Sequence, residues 1–184
     1  MVRSESWSSK GNLRVQLAAA LQGKVVVMGI GNPTRGDDAA GSYLAQGIHP
    51  APGVSVIDAQ DVPENYLGEV MQFRPDAVVL IDAVEMGFAP GSVAILDMKQ
   101  IAGSLPCTHR VPISLLADYM ERETRARISL MAIQPRKTTF LGTMSTEVAE
   151  SVEAVAGLVN EVLEARRGSS GTDSTSVVKE TIPV

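Results

Sequence analysis

Five short apolar runs limit what this chain can fold into: VVVMGI at 25–30, VSVID at 54–58, AVVLID at 77–82, SVAILD at 92–97 and ISLMAIQ at 128–134. They are close to continuously apolar, which suits strands covered by helices on both faces rather than strands with one wet side. Between the runs the apolar spacing changes to three or four residues, as in Ala40, Tyr43, Leu44 and Ile48, then Leu67, Val70 and Met71, then Ile113, Leu116 and Met120. The clearest helical period is Val148, Val152, Val155, Val159 and Val162, behind a Ser145 placed to cap it with Glu147 in the first turn. This alternation predicts an α/β fold, a three-layer sandwich whose mixed, mostly parallel, five-stranded twisted sheet carries helices on both faces. The mixture comes from one connection. Only nine residues separate Asp82 from Ser92, Pro90 and Gly91 among them. That is too few for a helical crossover, so 92–97 is expected to run antiparallel to the strand before it.

At 184 residues with 45% hydrophobic content, the chain has apolar material for one core. We expect a single domain at 24–167, an N-terminal extension at 1–23 with helical character, and a loose Ser/Thr/Gly-rich tail at 168–184. The formal charge of −5 resolves into +2 on the extension, −1 on the tail and −6 on the body. An acidic body with 4% aromatics offers neither the basic footprint nor the stacking platforms of a nucleic-acid binder. No apolar run approaches a bilayer-spanning length, so no membrane partner is expected. The LAAAL block at 17–21 is too short for a secretory signal. Cys107 is the only cysteine, which excludes an internal disulfide and fits the cytoplasm.

The chemistry concentrates in VVVMGIGNPTRGDDAAG at 25–41, where a strand leads into glycines, two carboxylates and a helix. The third glycine falls too late for a dinucleotide fingerprint, and no Lys-Ser/Thr pair completes a phosphate loop. Acids at a helix start would also repel a phosphate there. One of Asp37 and Asp38 suffices as a helix cap, which leaves the other to act. Asp82, closing its strand, should emerge at the same carboxyl edge as Asp38. If the first strand lies between the second and third, that edge holds the crevice where open α/β sheets bind ligands. His109, in LPCTHRVP ahead of a helix with Pro112 in its first turn, supplies an imidazole; His49 in GIHPAPG reads as a surface residue. Two carboxylates and an imidazole suit nickel or zinc better than calcium and leave a coordination position open. Cys107 reads as a small buried hydrophobe, and Asp58 and Glu64 as edge residues, one of them a cap. No nucleophile elbow or HExxH motif occurs.

GIGNPTRGDD resembles the opening GxGNxxxGDD of the hydrogenase maturation endopeptidases. DAQDVPEN at 58–65, LIDAVEMG at 80–87 with Pro90-Gly91, THRVPISLLADYM at 108–120 and AIQP at 132–135 extend the resemblance over nearly the whole body. One departure is Ala39-Ala40 before Gly41, where the family has Gly directly after GDD. The resemblance implies removal of the C-terminal extension of a nickel-iron hydrogenase large-subunit precursor after nickel insertion. Asp38, Asp82 and His109 would contact the metal, and Asp38 and Asp82 would be the catalytic acids of an aspartic-type or metal-assisted route. A non-proteolytic nickel-binding assembly factor, and more distantly a nucleotide-binding module, are the other readings.

Overall fold

The computed structural model describes residues 10–98 and 112–169. Within them the five apolar runs are strands: β1 (Val25–Ile30), β2 (Val54–Gln60), β3 (Ala77–Ala83), β4 (Val93–Asp97) and β5 (Arg127–Ile133). The helices are α1 (Lys10–Ala20), α2 (Ala40–Gln46), α3 (Leu67–Phe73), α4 (Ile113–Thr124) and α5 (Thr146–Ser169), with 3-10 turns at Gly36–Ala39 and Pro63–Tyr66. The sheet order is β2-β1-β3-β5-β4. All pairings are parallel except β4 with β5. β4 therefore opposes β3 in direction, as its short connection requires, but does not lie beside it. β5 intervenes. Its apolar residues are buried from both sides, whereas β4 is half-exposed along most of its length and takes the edge.

Alternation along the strands divides the core into two layers. Val25, Val27, Val79, Ile81, Met131 and Ile133 pack against α1, α2 and α5. Val26, Met28, Ile30, Val78, Leu80 and Leu130 pack against α3 and α4. The N-terminal helix belongs to this core: Leu17 and Leu21 of the segment expected as an extension are fully buried in the first layer. Each such leucine contributes about 1.5–3 kcal/mol by its burial. At the other end α5 continues through Ser169, two residues into the expected tail. The rest of that tail and residues 1–9 lie outside the described residues. Among the described residues no helix is long and apolar enough to cross a membrane.

β1 has a parallel partner on each side, so the strand order reverses at β1. The chain leaving β1 enters α2 on one face, while the chain leaving β2 enters α3 on the other. This is the arrangement that opens a crevice at the carboxyl edge. Gly41 lets the chain approach the strands closely here, because a Cβ would fall 2.2 Å from the carbonyl oxygens of both Ile30 and Ile81. The start of α2 is thus wedged against the ends of β1 and β3, with the Gly36–Ala39 turn above it.

Candidate active site

The loop after β1 turns on Gly31, whose φ of +141° and whose missing side chain are both required; a Cβ would lie 1.8 Å from the carbonyl oxygen of Asp38. The chain folds back, and the Asn32 N–H donates to Asp38 Oδ2 at 3.1 Å. Asn32 Nδ2 donates to Asp61 Oδ2 at 3.1 Å, while its Oδ1 accepts from the N–H and hydroxyl of Thr34. One asparagine therefore ties the loops after β1 and β2 together and orients Asp38. Asp38 is 6% exposed and accepts nothing else from the described residues.

Neither aspartate caps a helix. Asp37, fully buried, instead reaches the segment after β5. Its Oδ2 accepts the N–H groups of Arg136 at 2.8 Å and Lys137 at 2.9 Å and the Ser145 hydroxyl at 3.0 Å, while Oδ1 accepts the Ser145 N–H at 2.6 Å. Burial pushes the Asp37 carboxyl upward, but hydrogen bonds from Ser145, Lys137 and Arg136 outweigh it and hold the group below the usual carboxylate range. Ser145 thus spends its side chain on Asp37 rather than on the helix cap expected of it, although its carbonyl accepts the Ala149 N–H at the start of α5.

Asp82 stands opposite Ala132 near the end of β3 and is 3% exposed. Alternation places it with Val78 and Leu80 on the face covered by α3 and α4. The turn carrying Asp38 packs on β3, the strand that carries Asp82, so both acids lie toward the carboxyl edge of the sheet. His109 and Cys107 lie outside the described residues. Pro112 is the N-cap of α4 rather than a first-turn residue, its carbonyl accepting from Leu115 and Leu116. α4 leads into β5 at the amino edge, where the Arg127 N–H donates to the Asp76 carbonyl. The start of α4 therefore faces the carboxyl edge. Among the described residues, no group of three His, Cys, Asp or Glu could hold a metal ion.

Asp58 is not a cap. It accepts from Gln46 Nε2 at 2.8 Å and so ties β2 to α2, while Glu64 sits half-buried in the Pro63–Tyr66 turn, also without a capping bond. His49 is exposed. A residue not singled out from the sequence is Gln134. Buried at the end of β5, its Oε1 accepts from the N–H groups of Met86 and Phe88, and its Nε2 donates to Glu85 Oε1 and to the Pro135 carbonyl. It holds the loop that follows Asp82. The signal was an amide closing an apolar strand, since a buried amide must find partners.

The family model for hydrogenase maturation protease matches residues 39–163, beginning one residue after Asp38. The hydrogenase 3 maturation protease of Escherichia coli K12 is 32% identical over 158 residues, covering 84% of this chain and 98% of that protein. The crystal structure of a NiFe hydrogenase maturation protease, HycI, from Thermococcus kodakarensis superposes with a TM-score of 0.75 at 32% identity, over 81% of this chain and 99% of that one. The solution structure of the endopeptidase HycI from Escherichia coli gives 0.67 at 30% identity, over 85% and 99%. With its fold, its extent and its sequence all shared with these peptidases, the chain belongs to the hydrogenase maturation protease family.

Proposed function

We propose that this peptidase cleaves the C-terminal extension from the large-subunit precursor of a nickel-iron hydrogenase, and that nickel already inserted in the precursor is what it recognises. The supporting observation is the burial of Asp38 and Asp82, 6% and 3% exposed, the first in a turn packed on β3 and the second near the end of β3 itself, with Asp38 keeping acceptor capacity that the described residues do not use. A buried carboxylate with a spare oxygen suits a cation or a proton, not an anion. His109 follows in the donor set. It precedes by four residues the start of α4, which faces the same edge as Asp82, and two carboxylates with an imidazole match the preferences of nickel or of zinc.

In this reading Asp38 or Asp82 takes a proton from water as its oxygen adds to the scissile carbonyl carbon. The same proton passes to the leaving nitrogen as the C–N bond breaks. The precursor's metal, held against these carboxylates, supplies Lewis acidity toward that carbonyl. The reaction belongs in the cytoplasm, where a single thiol such as Cys107 stays reduced.

Mass spectrometry of the nickel-loaded precursor after mixing with this protein tests the reading. Loss of a C-terminal peptide, absent with nickel-free precursor and with Asp38→Asn, is the expected result. A nickel-loaded precursor that is bound but never shortened would instead identify a non-proteolytic assembly factor.

A further inference from the structure

Two loops rise from the carboxyl edge on neighbouring strands, and each presents large apolar side chains to solvent. The loop after β3 exposes Phe88 (44%), and the segment after β5 exposes Phe140 (63%) and Leu141 (77%). Scattered exposed apolar residues need no explanation, but these are held in place. Leu141 has a left-handed φ of +56°. The other such non-glycine residues among those described are Arg74 and Arg125, at helix C-caps, and Gln60, beside a strand irregularity. Leucine gains nothing from that conformation by itself, so its surroundings must impose it.

They do so through the loop after β1, which carries Asp37 and Asp38. The Leu141 N–H donates to the Thr34 carbonyl at 2.6 Å, the Asp37 N–H donates to the Lys137 carbonyl at 3.1 Å, and the Asp37 carboxylate gathers Arg136, Lys137 and Ser145. Phe88 is held in a similar way, its N–H donating to the buried Gln134. A loop serving only to connect β5 to α5 does not require a buried carboxylate with four donors at its base and two solvated hydrophobes at its tip.

We propose that Phe140 and Leu141, with Phe88 on the neighbouring loop after β3, grip an apolar stretch of the precursor polypeptide beside its scissile bond, and that Asp37 is the positioning residue that fixes this grip relative to Asp38. The occupant follows from continuity: the tip is bonded to Thr34 in the loop that carries the proposed catalytic acid, so a polypeptide laid against Asp38 runs close to it. The rigid tip reduces the ordering cost on binding. This inference rests on the proposed substrate.

The test uses Leu141→Gly and Phe140→Ser in the full chain, with nickel-loaded large-subunit precursor from the same organism as the probe and with binding and cleavage measured separately. Glycine accepts the left-handed backbone, so Leu141→Gly removes the side chain without loosening the loop and its melting temperature should match or exceed that of the wild type. The expected result is a Kd and KM for precursor raised about tenfold with kcat within about twofold, and recovery in Leu141→Met. Wild-type binding without cleavage, lost in Leu141→Gly, would uphold the grip and remove the proposed reaction. Unchanged binding in both variants while the wild type cleaves would overturn the grip and leave the reaction standing. Self-association that depends on Leu141, with precursor affinity unaltered, would also overturn it.

Discussion

Asp37 and Asp38 are consecutive, both buried, and surrounded in opposite ways. Asp37 accepts from three backbone N–H groups and a hydroxyl, which leaves its oxygens satisfied and its charge committed to holding the 136–145 segment. Among the described residues Asp38 accepts one backbone N–H, and its turn packs on β3. Burial alone does not separate a structural acid from the one proposed to be catalytic. The number of donors each has already accepted does, because a carboxylate whose lone pairs are all accepting hydrogen bonds has none left for a metal ion or a water and holds its proton more weakly.

That contrast is broken most directly by exchanging the two acids for asparagine in turn. Asp38→Asn is expected to slow precursor cleavage about a thousandfold, the scale of a lost general base, with a melting temperature close to wild type. The rate of peptide release and a thermal melt check both halves. Asp37→Asn should do the reverse. Its new amide NH2 would confront buried donors at a cost of about 3 kcal/mol, seen as a lower denaturation midpoint, with cleavage reduced only as far as the loop moves. If Asp37→Asn were as stable as wild type, the assignment of Asp37 to structure would fail.

Acid sharpens the comparison. Because the Asp37 carboxyl lies below its usual range when folded, the unfolded chain takes up its proton first as the pH falls. Its contribution to stability is complete above about pH 4, and is lost on descending from there through the folded-state value. The gap in melting temperature between wild type and Asp37→Asn should therefore be widest near neutrality and narrow in acid. Replacing Gln134 with Leu, which strands the Met86 and Phe88 N–H groups, should cost about 2 kcal/mol and loosen the loop behind Asp82, measurable as faster amide exchange at residues 84–88. At the low end stands Arg14 with Glu161, a solvent-exposed pair linking α1 to α5 at 2.6 Å. Glu161→Gln should shift stability by less than about 1 kcal/mol, despite a shorter contact than any Asp38 makes.

The strands and helices were legible because each apolar run carries its own period, and period is a local property of the chain. The switch point followed conditionally, from the expectation that β1 would lie between β2 and β3. The place of β4 did not follow. Its direction was set by a nine-residue connection that any reader can count, but its neighbour was decided by which strand could fill the centre of the sheet, and β5 buries its residues where β4 cannot. α1 was legible as a helix and not as core, since only the tertiary packing shows Leu17 and Leu21 closing one face of the sheet.

Within the site, the sequence by itself determined that two acids would stand after an apolar strand in a glycine-rich loop, and that another acid would close a second strand. Which of the consecutive aspartates would be spent on structure was decided only by folding, because the donors that saturate Asp37 come from residues about a hundred positions away. Gln134 and Asn32 acquire their roles in the same manner, as cross-links between loops that are distant in the chain and adjacent at the sheet edge. Local periodicity specifies the elements, whereas buried polar groups must find partners wherever the assembled loops supply them, and that matching exists only in three dimensions.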